Sequence, residues 1–352
     1  MKPKVIHVLY SGLGGHANVV FSLLETKFGN EYENIIVFFG VDKVLEAYIT
    51  KVKELGLSYY VIQKKPKVYI KPFLAFKKIL KTVEPKNVIV HNSELLLPAL
   101  SGKCKVFYVE HENYLTKGRL LRFLSKVALL KSDGVVCLNQ ETKTHLLSNY
   151  KVKTKISIIP NGVNTQKFRQ VSLAKSDFIV GMASRMVEGK DHTTLLNAFQ
   201  KVLHLYPNIK LHIAGNGETL IDVKTLCASL DISDSVVFLG LLDEIQMLDF
   251  YQSLSVYVQA THSETLSTSI LQAMSCGLPT IVTDIKNNLP LISNNETGWF
   301  YIQQNSDDLC LKLVSCIKNS AEAIQVGKNA RSFIKNQYSN SKMGIQYSEL
   351  LK

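Results

Sequence analysis

The chain has 352 residues, 46% hydrophobic and 20% charged, with 41 Lys and Arg against 29 Asp and Glu for a net charge of +12. That length and composition exclude a disordered or fibrous chain and allow two domains with ample cores. No run approaches the ~20 apolar residues of a membrane span, and the apolar run 5–10 leads into glycines rather than a cleavage site, so a cytoplasmic protein is expected.

In chain order, 4–10 reads as a buried strand, 11–15 as a turn, and 16–28 as a helix with Val19, Val20, Leu23 and Leu24 on one face. Strands follow at 34–39, 59–62, 87–91, 105–109, 134–138 and 157–159, with helices at 44–55, 70–82 and near 119–130. The segment Pro160-Asn161-Gly162-Val163-Asn164 breaks this rhythm. It restarts with strands at 178–183, 210–214, 236–239, 254–259 and 280–283 and helices at 193–205 and 267–275, and a last helix spans 342–351. Strands alternating with helices imply parallel sheets covered on both faces. The six cysteines form no Cys-x-x-Cys pair and no ligand spacing with His, which suits thiols in a reducing compartment.

The charge is uneven. Residues 1–165 hold 25 Lys and Arg against 12 Asp and Glu, while residues 166–352 hold 16 against 17. One basic half implies a polyanionic surface as its partner. Lys64, Lys65, Lys67, Lys71, Lys77 and Lys78 interleave with Tyr69, Phe73 and Phe76. This pattern suits an anionic bilayer, with the lysines at the headgroups and Phe73 and Phe76 in the interface. No nucleic-acid-binding motif supports the competing partner.

Chemistry concentrates at strand ends. Gly12-Leu13-Gly14-Gly15 joins a strand to a helix, so backbone N–H groups there can approach a phosphate, although Ala17 breaks a dinucleotide fingerprint. His111 follows the strand 105–109, at the edge where open α/β sheets bind ligands; His91 also ends a strand. Arg185 and Lys190 are two cations five residues apart in one loop, a spacing that can converge on a diphosphate. Gly215-Asn216-Gly217 and Phe238-Leu239-Gly240 end the next strands with room for a planar base. Glu264 precedes the helix 267–275 in a small-residue turn, where a carboxylate can grip sugar hydroxyls beside a helix N-terminus suited to anions. No Asp-x-Asp pair for a divalent ion occurs.

These motifs resemble those of the retaining GT-B glycosyltransferases, glycosyltransferase family 4. The family signature is Glu, seven residues, Glu, then Ala-Met-x-x-Gly-x-Pro. Glu264, Ala273, Met274, Gly277 and Pro279 match it, while Gln272 stands at the second Glu. Pro160-Asn161-Gly162-Val163 resembles the element that ends the family's first domain, with Asn164 in place of Asp.

The resemblance implies an α/β GT-B fold, two Rossmann-like parallel-sheet domains facing a deep cleft. An acceptor-binding domain is expected at 1–165, a nucleotide-sugar-binding domain at 166–335, and a helix at 336–352 returning to the first. It implies His111, Glu264, Arg185 and Lys190 as catalytic. Donor binding falls to Gly14, Gly15, Arg185, Lys190, Asn216, Gly217, Leu239, Glu264, Thr265, Leu266, Ser267 and Gln272, and acceptor binding to Gly15, His16 and His111. It implies no metal and no cofactor. The expected reaction is retaining transfer of a sugar from a nucleotide-sugar, UDP-linked before GDP-linked, to a glycan or polyprenyl-diphosphate-linked acceptor. The setting is bacterial O-antigen or capsule synthesis, at the inner face of the cytoplasmic membrane and without nucleic acid. Two other readings stay open: a nucleotide-sugar-binding subunit without turnover, suggested by Gln272, and a sugar-nucleotide epimerase.

Overall fold

In the computed structural model, which describes residues 2–12, 14–66, 68, 70–91, 103–111, 123, 126–127, 129–150, 154–169 and 177–352, the chain divides into two units. The first comprises residues 1–162 and 340–352, and the second residues 163–339.

In the first unit, the β-branched runs become β1 (Lys4–Tyr10), β2 (Glu33–Gly40), β3 (Ser58–Gln63), β4 (Asn87–Val90), β5 (Lys105–Glu110), β6 (Gly134–Cys137) and β7 (Ile156–Ile158). They pair in parallel in the order β3-β2-β1-β4-β5-β6-β7. The central strands are buried along almost their whole length, as parallel strands covered on both faces must be. The described helices of the N-terminal segment are α1 (Gly15–Leu24), α2 (Lys27–Glu31), α3 (Glu46–Glu54), α4 (Ile70–Val83) and α5 (Gln140–Tyr150).

The second unit alternates β8 (Ile179–Ala183), α6 (His192–Leu205), β9 (Lys210–Ala214), α7 (Leu220–Ser229), β10 (Val236–Gly240), α8 (Glu244–Ser253), β11 (Val256–Gln259), α9 (Thr268–Ser275), β12 (Thr280–Thr283) and β13 (Trp299–Tyr301). The helices α10 (Ser306–Lys318) and α11 (Ser320–Gln337) close it. The sheet order is β10-β9-β8-β11-β12-β13, again parallel throughout. Both sheets reverse direction once, between β1 and β4 and between β8 and β11. This is the doubly wound, Rossmann-like arrangement with a crevice at each switch point.

The last helix, α12 (Asn340–Leu350), belongs to the first unit. Asn340 Nδ2 donates to Ser22 O at 3.0 Å, and Ser348 Oγ donates to Glu31 at 2.6 Å. The Gly162 amide donates to Met343 Sδ at 3.2 Å.

Several local expectations change. The single helix at 16–28 is two, because Thr26 intervenes: its hydroxyl donates to Leu23 O at 2.7 Å and accepts from Phe28 N at 3.3 Å. The strand at 254–259 starts two residues later, since Leu254 caps α8. Sequence periodicity does not point to α5, α7, α8, α10, α11 or the three-residue β13. Most of the helix near 119–130 lies outside the described residues, as do Lys67 and Tyr69.

The expected membrane face of α4 also changes. Pro72, Phe76, Leu80 and Val83 fall on its buried side at intervals of three and four, so Phe76 is in the core and Phe73 packs against it. Ile70 and Leu74, 75% and 61% exposed, carry the outward apolar surface instead, beside exposed Lys71, Lys77, Lys78 and Lys81.

The signature around α9 has a mechanical explanation. Ser267 caps the helix, its Oγ accepting from Ile270 N at 3.4 Å. At the other end Gly277, at φ 73°, takes the left-handed conformation, with Gly277 N donating to Met274 O at 2.9 Å and Leu278 N to Ala273 O at 3.1 Å. That pair of bonds is a Schellman stop, and Pro279 follows where a helix cannot continue.

Gly327, mid-way along α11, sits against this stop: a Cβ there would lie 2.2 Å from Gly277 O and 3.0 Å from Pro279 N. Helix propensity alone favours Gly327→Ala by ~1 kcal/mol. The backbone clash acts against it, and overpacking typically costs ~1–3 kcal/mol. We expect the clash to win and the urea midpoint of Gly327→Ala to fall; a raised midpoint would mean that α9 and α11 separate without penalty.

Candidate functional site

In the second unit, the loops leaving β8, β9, β10 and β11 meet along the C-terminal edge of the sheet. The β8 loop starts at Ser184 and runs through Arg185 and Lys190 to Asp191, which caps α6 by accepting from Thr194 N at 3.0 Å. The β9 loop packs directly on it. Met186 N donates to Asn216 O at 3.0 Å and Thr219 N to Met186 O at 3.1 Å. Only glycine fits at two positions of this contact: a Cβ on Gly215 would lie 1.8 Å from Ser184 O, and one on Gly217 2.1 Å from Met186 O. The β10 end joins through Gly215 N, which donates to Gly240 O at 2.7 Å. Arg185, Asn216, Gly217 and Leu239 therefore lie on three contiguous loop ends, with Arg185, Asn216 and Gly217 exposed.

The β11 loop completes the edge. Asp191 N donates to Ala260 O at 3.2 Å and His262 N to Gly189 O at 3.1 Å. Thr261 is the fastener: its amide donates to Thr283 Oγ1 at 3.0 Å and its hydroxyl lies 3.0 Å from Gly189 O and 2.8 Å from Ser263 O. This lacing brings Lys190 and Glu264 together, 74 residues apart in sequence. Lys190 Nζ forms an ion pair with Glu264 Oε2 and lies 3.5 Å from Thr261 Oγ1. The two side chains are 15% and 20% exposed. Asn287 Nδ2 donates to the Glu264 carbonyl, fixing the loop from the β12 side.

Thr265, Leu266 and Ser267 are buried beneath this pair and lead into α9. Gln272 is half-buried, and its Oε1 accepts from the hydroxyl of the buried Tyr251 at 3.1 Å. Neutral Gln272 thus takes part in a tyrosine hydrogen bond within the unit.

In the first unit, Gly14, Gly15, His16 and His111 occupy the edge at the β1/β4 switch point. Tyr48 holds the glycine loop, its hydroxyl lying 3.3 Å from Gly14 N and 2.9 Å from Gly14 O. The Tyr10 amide donates to His16 Nε2 at 3.1 Å, and the His16 and His111 rings are 5.7 Å apart. His91, at the end of β4, joins them with Nδ1 2.8 Å from His111 Nε2. Ending a strand is the one sequence signal for His91; Thr261, Asn287 and Tyr251 have none. Among the described residues no group of three His, Cys, Asp or Glu side chains is disposed to hold a metal ion.

Comparison with known proteins places these features in context. The family model for glycosyl transferases group 1 matches residues 163–333, and that for Glycosyltransferase Family 4 matches residues 13–167. The chain is 30% identical to the alpha-monoglucosyldiacylglycerol synthase of Streptococcus pneumoniae, over 55% of this chain and 48% of that protein. The chain thus spans about half the length of that relative. It is 26% identical to the UDP-Gal:alpha-D-GlcNAc-diphosphoundecaprenol alpha-1,3-galactosyltransferase of Escherichia coli, over 62% of this chain and 59% of that one. Among solved structures, Anabaena Alr3699/HepE in complex with UDP and glucose superposes with a TM-score of 0.86 over 99% of both chains, at 14% identity.

Two buried histidines tie stability to pH. Burial holds His7 and His192 down to about 4, against 6.5 for a free imidazole. Both are neutral in the native state, so between these values the unfolded chain binds protons that the native one does not. Their contribution is intact above 6.5 and is lost as pH falls toward 4, by up to ~1.4 kcal/mol per pH unit for each histidine. We expect the urea midpoint to drop steadily from pH 7 to pH 5, and a flat profile over that range would contradict neutral burial of both rings.

Proposed function

The chain belongs to glycosyltransferase family 4, the glycosyl transferases of group 1, and we propose that it is a retaining, metal-independent glycosyltransferase moving a sugar from a nucleotide-sugar to a lipid-linked or glycan acceptor. The observation that carries this reading is the Lys190–Glu264 ion pair at the C-terminal edge of one sheet, on the loop that also bears Arg185 and three residues ahead of the α9 cap Ser267. A bound donor brings two negative charges on its diphosphate. Arg185 and Lys190 supply two positive charges, Glu264 subtracts one, and a helix N-terminus adds the equivalent of about half a charge. The site stays net positive, which suits a departing nucleoside diphosphate.

The step is a front-face substitution. The acceptor hydroxyl oxygen attacks the anomeric carbon as the bond from that carbon to the diphosphate oxygen breaks. The departing oxygen takes the hydroxyl proton, and Arg185 and Lys190 bear the negative charge that grows there. Glu264 holds sugar hydroxyls; Asn216, Gly217 and Leu239 flank the nucleotide; Gln272 meets the ribose through its remaining hydrogen-bonding capacity. The acceptor belongs to the first unit, at Gly15, His16 and His111. A UDP-sugar is favoured because the E. coli relative is named for UDP-Gal. A lipid acceptor is favoured because both relatives are named for lipid products or lipid-diphosphate acceptors. Synthesis of a bacterial surface polysaccharide is the setting we assign.

In donor assays containing excess EDTA, Arg185→Ala and Lys190→Ala should each lower kcat/KM by ~10²-fold, equivalent to ~3 kcal/mol of lost transition-state stabilisation. Near-native turnover in both variants would sink the diphosphate assignment. Loss of all activity on chelation would sink metal independence. Donor binding without transfer would favour a non-catalytic subunit, and sugar interconversion without acceptor an epimerase.

Among the described residues no helix is long and apolar enough to cross a membrane. We assign membrane association to α4, whose exposed Ile70 and Leu74 sit among Lys71, Lys77, Lys78 and Lys81. Each cation near an anionic surface is worth ~1 kcal/mol, so Lys77→Glu with Lys78→Glu should weaken co-sedimentation with anionic vesicles by at least ~10-fold. Equal binding to neutral and anionic vesicles would remove this role.

A further inference from the structure

Four imidazoles form a row in the first unit. His7, on β1 and fully buried, stacks on His91 at 6.1 Å between ring centroids. His91 stacks on His111 at 5.1 Å, and His16 tilts against His111 at 5.7 Å. The row contains an inter-ring hydrogen bond, His91 Nδ1 to His111 Nε2 at 2.8 Å. One of the two nitrogens carries the proton, and the surroundings of His91 decide which.

His91 is 8% exposed, and its Nε2 is buried with no partner among the described residues. Burial, together with the neighbouring His111, His7 and His16, holds it well below the usual imidazole range, so it carries a single proton. A proton on Nε2 would leave an N–H group orphaned in the interior, and orphaned buried donors are the rarest kind of unsatisfied group. A proton on Nδ1 leaves an unpaired acceptor and makes the bond to His111. His7 does not compete for that bond. Asn34 Nδ2 donates to Gly29 O and Tyr32 O at 3.2 and 3.1 Å, which turns Asn34 Oδ1 toward His7 Nε2 at 3.1 Å and fixes the His7 proton there.

We propose that His91 is a positioning residue for His111: its Nδ1–H donates to His111 Nε2, holds that ring in one orientation, and leaves the His111 proton on Nδ1. Resting on the reading that His111 meets a sugar-bearing substrate, this removes His111 as the base that takes the acceptor proton, because Nε2 accepts from His91 and Nδ1 already carries the proton. The proton of the acceptor hydroxyl then goes to the departing diphosphate, and the atoms balance without the histidine.

The test is a long-range ¹H–¹⁵N correlation spectrum of full-length protein with ¹⁵N-labelled histidine at neutral pH, paired with kinetics. His111 should show a protonated Nδ1 and a bare Nε2. His91→Asn keeps an N–H near the Nδ1 position and should preserve that tautomer with kcat within about threefold of the parent, a change under 1 kcal/mol. His91→Phe fills the volume without a donor and should scramble the His111 tautomer and lower kcat by ~10-fold or more while leaving the donor KM within about twofold. Three results would overturn the proposal: a proton on His111 Nε2 in the parent, an unchanged tautomer in His91→Phe, or equal losses in the Asn and Phe variants. The spectrum needs no turnover. The expected tautomers without any sugar transfer would therefore reject the transferase reading and leave the His91–His111 bond standing.

Discussion

Parallel pairing is the constraint on which everything else depends. A parallel strand cannot be reached by a tight turn, so each connection must cross back over a face of the sheet. Each strand of a sheet then ends on the same edge. In the second unit that edge receives the loops after β8, β9, β10 and β11, which is why Arg185, Asn216, Leu239 and Glu264 are neighbours despite spanning some eighty positions. In the first unit it receives the Gly14-Gly15 loop after β1, His91 after β4 and His111 after β5. Both groups straddle the point where strand order reverses, where connections leave in opposite directions and a crevice opens between them.

In the proposed role of Lys190, Glu264 sets an acid beside a cation that has to meet a phosphate. Lysine has a long flexible stem, and ordering such a side chain on binding costs ~0.5–1.5 kcal/mol. Glu264, itself held through its carbonyl by Asn287, keeps the ammonium at the loop edge before any ligand arrives. Surface ion pairs are typically worth ~0–1 kcal/mol, and desolvation of the two partly exposed side chains offsets what their burial adds to the attraction. On the proposed reading, a dianionic diphosphate beside Arg185 outweighs an interaction of that size. In the proposed role the acid orients Lys190, and its second carboxylate oxygen is left for a sugar hydroxyl.

What the sequence made legible was what acts locally. The Ser267 cap, the Gly277 stop and Pro279 each reflect backbone geometry within one helix length, so residue order alone was enough to outline α9. The glycines at 215 and 217 were legible as a close approach, though not what approaches: the Ser184 and Met186 carbonyls belong to another loop. Helix α11 was hidden because Gly327 sits in its middle, and the reason for that glycine is the Gly277 carbonyl fifty residues away. The aromatics of α4 misled because composition does not say which side of a helix is the core; Phe76 lies on the same stripe as Pro72 and Leu80. Likewise His91 reads as an ordinary strand end until β4 and β5 are paired, which sets Val90 beside Tyr108 and carries the two histidines out on adjacent strands.

The two units handle polarity in opposite ways. The second exposes fixed charges and restrains them with an ion pair. The first gathers four imidazoles where burial keeps His7 and His91 uncharged, within a half of the chain that is strongly basic. Those two facts fit together. Helix α4 packs against β3 at the sheet margin, two strands from the β1/β4 edge, with its lysines exposed. Exposed lysines thus stand on a surface helix, while beneath the β1/β4 edge burial keeps His7 and His91 uncharged. In the proposed division of labour, the first unit meets acceptor hydroxyls by hydrogen-bond geometry and the second meets the diphosphate with its cations. The cost is two buried ring nitrogens without partners among the described residues, His7 Nδ1 and His91 Nε2. Unsatisfied buried groups of this kind each cost ~1–3 kcal/mol and are rare in a core that serves packing alone. At His91 that cost falls beside His111, where the proposed arrangement of protons is held in exchange.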